Sequence, residues 1–452
     1  MQFEPRPGLA QHTVVSGAVF RDHPTTWLDR IISIAGIPIL LALAWLLSVN
    51  RKVVPWRTVI WGVALQLLFA LVVLNPAVAQ WIFVATDTAV RTLLSFSEKG
   101  AEFVFQSIHP HEVKSLQPDG TMATEIVAGR ISPALKTVAF WVLPSIIFFS
   151  AMMTLLYHLG IMQLFVRGMA FIMQRTMRTS GAESLSAAGN IFLGQTEAPL
   201  LIKPYVGTLT TSELHSVMVG GFATVAGGVL AAYVSFLRDI PGIAGHLVTA
   251  SIMSAPAALA VAKIIVPETE VPLTRDTAVV YNERPDANAI EAIARGSSEG
   301  MSLFLNVIAM LIGFVAMVAL VDWLFGFAGT SFSAVLGWLF SPIAFVMGVP
   351  WEESAVVGQL LGEKLVLTEF IAYKHLGEIL GSGGQQLSER SAIIASYACC
   401  GFANFASIGI QIGGIGGIAP HRRADLAKLG IRAMLGGSIA AFLTATIAGI
   451  LL

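Results

Sequence analysis

Apolar residues run along this chain in long uninterrupted stretches, without the alternation of a surface strand. Stretches free of Asp, Glu, Lys and Arg cover Ile31–Asn50, Thr58–Gln80, Thr137–Tyr157, Ser216–Leu237, Ile240–Ala262, Ser302–Val321, Gly329–Trp351, Ser391–Pro420 and Ala433–Leu452. A helix crosses a bilayer core with about 20 such residues. Two stretches are irregular. Gly329–Trp351 ends in Val349-Pro350-Trp351-Glu352-Glu353, which reads as part of a re-entrant hairpin. Ser391–Pro420 is too long and too rich in glycine for one ordinary helix. The segment Ser184–Pro204 gives a further hairpin. Its ten apolar and small residues to Leu193 make about 15 Å of helix, then Gly194-Gln195-Thr196-Glu197 forms a polar tip, and Pro199 opens the return. The prediction is an all-α integral membrane protein with eight transmembrane helices and two re-entrant hairpins. Residues 81–130, apolar but carrying Asp87, Arg91, Glu98, Lys99 and Glu102, read as interfacial helices, as does Ala287–Ala294.

Composition agrees with the pattern. Hydrophobic residues make up 55% and charged residues 12% of the 452, about half the charge of a typical soluble domain. The formal net charge of -1 gives no bulk attraction to nucleic acid. Cys399 and Cys400 are adjacent in an apolar run and read as small buried thiols. Residues 1–30 lack the apolar core of a cleaved signal peptide and read as a polar lead-in. His109 and His111 sit in a polar connector and read as solvated. No phosphate-binding loop or metal-ligand cluster appears in the sequence.

Basic residues cluster at Arg51, Lys52 and Arg57, at Arg167, Arg175 and Arg178, and at His421, Arg422, Arg423, Lys428 and Arg432. Placing these on the cytoplasmic side puts both termini outside. The division expected is a lead-in at 1–30, a scaffold at 31–136, a first transport-core half at 137–266, a cytoplasmic loop with an interfacial helix at 267–301, and a second core half at 302–452.

The sequence repeats. Gly221-Phe222-Ala223-Thr224-Val225-Ala226 recurs as Gly401-Phe402-Ala403-Asn404-Phe405-Ala406, four of six positions being identical. Each copy lies in an apolar run and follows an acidic, proline-containing motif. With three crossings between the two hairpins the repeats are inverted, an architecture of secondary transporters whose site lies where broken helices meet. Ionisable residues at membrane depth mark substrate or ion paths. Glu197 holds that position in the first hairpin; in the second it falls to Glu353, or to Glu352. Asn404 and Ser407 are spaced i, i+3, which puts them on one helical face, with Phe402 nearby as an apolar plate. Gly220, Gly221, Gly227 and Gly228 let the helix around Thr224 unwind, and Asn190 can add an amide oxygen, a set that suits a small hard cation.

At these motifs the chain resembles the concentrative nucleoside transporters. Asn190-Ile191-Phe192-Leu193-Gly194-Gln195-Thr196-Glu197-Ala198-Pro199-Leu200 is similar to their first-hairpin signature. Gly221–Val229, Val349–Glu353 and Cys400–Ser407 resemble the other blocks, and the likeness runs from about Ile31 to Leu452. The resemblance implies a homotrimer in the plasma (inner) membrane that imports nucleosides with sodium and needs no other cofactor. It implies Gln195, Thr196, Glu197 and Val229 at the nucleobase, and Glu353, Asn404 and Ser407 at the ribose with Phe402 alongside. It also implies sodium on the Asn190 and Thr224 side chains and the Leu193 and Val225 carbonyls. Relatives that use protons lose this oxygen cluster, which is kept here. Gly194 leaves room near the base for purines. A membrane enzyme with paired carboxylates and a polar-lined channel are the alternatives; repeats with hairpins favour a transporter.

Overall fold

The computed structural model describes residues 20–74, 76–105, 108–116, 122–130, 137–275, 286–327, 329–381 and 387–452. The expected lead-in therefore lies mostly outside the described residues. Its last residues already belong to α1 (Trp27–Leu46), which starts on a capping box. The Asp29 amide donates to Thr26 Oγ1 and the Thr26 amide to Asp29 Oδ2, satisfying two donors that a helix start leaves open. α2 (Trp56–Val73) ends seven residues before the expected limit, and α3 (Pro76–Phe105) begins on proline, a residue pre-set for a first helical turn.

The expectation of helices throughout 81–130 is corrected. α3 is one helix, and β1 (Ile108–Leu116) pairs antiparallel with β2 (Met122–Arg130), Ile108 opposite Arg130 and Leu116 opposite Met122. Pro118-Asp119-Gly120 between them is a turn signal in sequence. The rest of the described fold is helical.

The remaining elements fall into two sets in the same order. The first runs α4 (Pro144–His158, led by a π-helical turn at Val138–Val142), α5 (Ile161–Met177), α6 (Gly181–Asn190) returning through a 3₁₀ turn (Ala198–Ile202) and α7 (Lys203–Val206), then α8 (Thr211–Ala223), α9 (Gly227–Phe236) and α10 (Ile243–Ile265). The second runs α11 (Ala289–Gly326), α12 (Phe332–Val346), α13 (Trp351–Val366), α14 (Glu369–Gly381), α15 (Glu389–Cys399), α16 (Phe405–Ile418) and α17 (Arg423–Leu451). Each set is a long helix, a peripheral helix, a paired short-helix unit, a broken helix and a long helix. The helix expected at Ala287–Ala294 is no separate element; it is the start of the 38-residue α11.

Seven helical units among the described residues are long and apolar enough to cross a membrane: α1, α2, α4 with its leading turn, α8–α9, α10, α11, and α17 with the 3₁₀ turn before it. The eighth expected run, Ser391–Pro420, is broken into α15 and α16. The run Gly329–Trp351 bends by 116° between α12 and α13. Burial separates inner from outer helices: the apolar windows of α8–α9, α10 and α17 are 83–89% buried, whereas that of α11 is 6% buried. α11 presents Leu305, Ile312, Val315, Leu320 and Trp323 outward, a surface suited to lipid.

The three basic clusters come to one end of the molecule. Arg57 donates to the Thr176 and Arg175 carbonyls, and Arg422 to those of Leu209 and Gly207. The bases of α6 and α8 lie at the same end, joined by Ser180 Oγ donating to Glu213 Oε1 at 2.5 Å. Lys263 pairs with Glu183 and Glu268 there.

Candidate functional site

The site forms where the two broken helices meet. α8 stops at Ala223 and α9 starts at Gly227; α15 stops at Cys399 and α16 starts at Phe405. The two breaks touch backbone to backbone, the Phe402 amide donating to the Thr224 carbonyl at 3.2 Å. Such proximity needs glycine at the paired repeat positions. A Cβ on Gly401, whose φ is +145°, would stand 2.7 Å from the Phe222 carbonyl oxygen, and one on Gly221 would stand 2.8 Å from Gln411 Nε2.

A continuous polar chain crosses this junction. Gln411 Nε2 donates to Gln195 Oε1 (3.1 Å) and Gln195 Nε2 to Ser407 Oγ (3.2 Å). The Ser407 amide donates to Asn404 Oδ1 (2.9 Å), and Asn404 Nδ2 to Glu369 Oε2 (3.0 Å). The Tyr233 hydroxyl closes the chain on Glu369 Oε1 at 2.8 Å. These residues are nearly fully buried. They come from the tip after α6, from α16, from the start of α14 and from α9. Asn404 is the N-cap of α16, so it does not share a helical face with Ser407 as expected. Capping occupies its carbonyl oxygen and leaves its amide nitrogen for Glu369.

Glu353 is not in this chain. It sits in the first turn of α13, fully buried, with Oε2 accepting from the Ser388 amide (3.0 Å) and hydroxyl (2.9 Å). Thirteen residues of helix, about 20 Å, separate it from the α13–α14 turn. Glu183 likewise lies in the first turn of its short helix, α6. Glu352 is exposed beside Glu353. The carboxylate that occupies the site is Glu369, which sequence reasoning missed. Thr368-Glu369 repeats Thr196-Glu197 between the short helices of each set, and this dipeptide was the available signal. The run around it carries Glu363, Lys364, Lys374 and Glu378 and reads as solvated in sequence.

The remaining predicted residues surround the chain. Thr196 Oγ1 donates to Glu197 Oε1 at 2.9 Å. Glu197 is exposed at the tip that follows α6. Val229 is buried on α9 and Phe402 half-buried at the second break. Asn190 closes α6, its Nδ2 donating to the Ser186 carbonyl while its Oδ1 is buried without a partner. Thr224 Oγ1 donates to the Gly220 carbonyl at 2.9 Å, and a Cβ on Gly220 would stand 3.2 Å from Asn190 Nδ2. Asn190 and Thr224 thus flank one glycine. No hydrogen bond among the described residues goes to the Leu193 or Val225 carbonyl. Asn190 Oδ1, buried and unpaired, is an oxygen that a small cation could take. Among the described residues no three His, Cys, Asp or Glu side chains gather as a metal site.

Broken helices that meet at a buried polar junction are an architecture of secondary transporters. Comparison with known proteins gives the class its particular form. Residues 35–108 and 246–449 match the N-terminal and C-terminal families of Na+ dependent nucleoside transporters, and residues 139–239 match the nucleoside recognition "Gate" family. The chain is 41% identical over 443 residues to solute carrier family 28 member 3 of Mus musculus, covering 94% of this chain and 59% of that protein. It is 41% identical over 422 residues to the transporter YutK of Bacillus subtilis, covering 92% of this chain and 97% of YutK. CNTnw, solved in an inward-facing substrate-bound state, superposes with a TM-score of 0.81 at 37% identity, over 94% of this chain and 98% of that one. The chain belongs to the sodium-dependent concentrative nucleoside transporter family, and its long apolar helices make it a multi-pass membrane protein. It spans about three fifths of the length of the first mammalian relative and nearly all of the bacterial one.

Proposed function

We propose that this protein imports nucleosides by symport with sodium, its core alternating between the two faces of the plasma membrane. The α6–α7 and α13–α14 units act as re-entrant hairpins, related as inverted repeats with eight crossings in all. Both termini lie outside, and three copies assemble through the outer helices of the scaffold.

The observation that carries this reading is the polar chain from Gln411 to Tyr233, which joins the tip after α6, the second helix break, the start of α14 and the body of α9 in one buried junction. Glu369 takes the ribose role first expected of Glu353. A carboxylate accepts two hydrogen bonds, matching vicinal hydroxyls, with Asn404 and Ser407 beside it and Phe402 against the ring. Gln195, Thr196, Glu197 and Val229 face the base, where an amide next to a carboxylate offers donors and acceptors to a base edge. Asn190, Thr224 and the Leu193 and Val225 carbonyls hold sodium. Four neutral oxygens suit a monovalent ion, since divalent ions usually draw carboxylates.

Uptake of labelled uridine and adenosine into proteoliposomes, with and without a sodium gradient, tests the reading. Concentrative uptake that collapses with the gradient is expected. Passive equilibration of both solutes would indicate a channel.

A further inference from the structure

Gln411 lies one turn beyond Ser407 on α16 and is fully enclosed. Its Nε2 donates twice, to Gln195 Oε1 and to the Met218 carbonyl of α8, each at 3.1 Å. Gly221 makes the space: a Cβ there would stand 2.8 Å from Gln411 Nε2 and 2.9 Å from Gln195 Cβ. Gln411 Oε1 is buried without a partner among the described residues, so the two N–H bonds alone set how this amide lies.

A side-chain amide has two ends of similar size and opposite hydrogen-bonding sense, and its neighbours decide which way it points. A backbone carbonyl only accepts. Met218 therefore fixes the Gln411 NH2 toward itself and toward Gln195. Reversed, Gln411 Oε1 would face the Met218 oxygen with no hydrogen between them. Gln195 must then meet Gln411 with its oxygen, which turns its own NH2 toward Ser407 Oγ, 3.2 Å away. The end that Gln195 can offer a ligand is its amino end, with one N–H not spent on Ser407.

We propose that Gln411 is a specificity-determining positioning residue: it locks Gln195 as a hydrogen-bond donor toward the nucleobase, so that the carrier prefers uracil and hypoxanthine to cytosine and adenine. The proposal rests on the placement of Gln195 at the base in the proposed function. The bases within each pair share a shape and differ in one exocyclic group, which projects from the ring and meets the amide first. Uracil and hypoxanthine present a carbonyl oxygen there, which accepts from Gln195. Cytosine and adenine present an amino group, which sets two donors against each other. Gln411 is behind Gln195 and acts only through it.

The test is competition of unlabelled uridine, cytidine, inosine and adenosine against labelled uridine in proteoliposomes with a sodium gradient. Uridine should bind about tenfold more tightly than cytidine, and inosine than adenosine, the loss that an unpaired buried donor causes. Gln411→Met keeps the bulk and removes both N–H groups. Gln195 is then free to turn its oxygen to an amino group, and each ratio should fall to within about threefold. A merely structural loss would weaken both members of a pair alike, and ratios unchanged in Gln411→Met would overturn the proposal. Wild-type ratios near one would overturn it even if Gln411→Met failed to fold. If labelled uridine is not taken up by wild type at all, it is the nucleoside reading that fails.

Discussion

Asn404 and Glu369, 35 residues apart, are joined by an Nδ2···Oε2 hydrogen bond of 3.0 Å, with the other carboxylate oxygen held by the Tyr233 hydroxyl. Asn404 can serve Glu369 because its own carbonyl oxygen is committed to capping α16 through the Ser407 amide. Helix start and carboxylate are thus fixed by one side chain.

Glu369→Gln is expected to weaken ribonucleosides far more than 2′-deoxynucleosides. A hydrogen bond to a charged group contributes about 1.5–3 kcal/mol, so the ribonucleoside loss should be roughly tenfold to a hundredfold. Competition against labelled uridine measures both classes. Equal losses would remove Glu369 from the ribose.

Glu353→Gln should leave that selectivity alone. Its carboxylate holds the Ser388 cap of α15, and loss of a charged acceptor there should cost about 1–3 kcal/mol of stability. The check is a lower thermal transition in detergent with an unchanged ratio of uridine to deoxyuridine affinity. A changed ratio with unchanged stability would return Glu353 to the site.

Asn190→Ala and Thr224→Ala are expected to raise the sodium concentration for half-maximal uptake, with nucleoside affinity largely recovering at saturating sodium. Coupling between two ligands is reciprocal, so uridine should tighten sodium binding by the factor by which sodium tightens uridine. Glu197→Gln should show a defect that sodium does not repair. Sodium titrations of all three variants decide it; wild-type sodium dependence in the first two would place the ion elsewhere.

Gly401→Ala should be strongly damaging. The new Cβ meets the Phe222 carbonyl at 2.7 Å at a φ of +145°, a backbone region that costs a side chain about 1–3 kcal/mol. Thermal unfolding and uridine uptake should fall together. An active variant of wild-type stability would mean that the two breaks need not touch.

Single cysteines near Arg51, Arg175 and Arg422 should resist an impermeant thiol reagent added outside intact cells, as cytoplasmic loops would. Cys399 and Cys400 are fully buried, so background labelling should be low. Outside labelling at any of the three positions would reverse the orientation.

Much of this architecture was legible from residues alone. Long charge-free runs located the spans, and the repeated Gly-Phe-Ala blocks located both helix breaks, because a glycine-rich interruption in lipid needs a protein-lined cavity. The α12–α13 bend was legible from Val349-Pro350. The second tip was not, because acidic residues beside proline drew attention to Glu353, whereas Thr368-Glu369 lies amid charges whose burial only packing reveals. The β1–β2 hairpin was missed for a different reason. Its apolar positions also fit an amphipathic helix, and short segments of mixed polarity do not separate the two periods.

The polar chain also bears on how the protein folds. Gln195 and Tyr233, from the first set of helices, find their partners Ser407, Gln411 and Glu369 only in the second. Neither set folded alone would pair these buried groups, and unpaired polar groups in a dry interior are costly. Contacts between residues so distant in sequence also carry the loop-closure entropy that slows folding. The junction should therefore be among the last parts of the molecule to order.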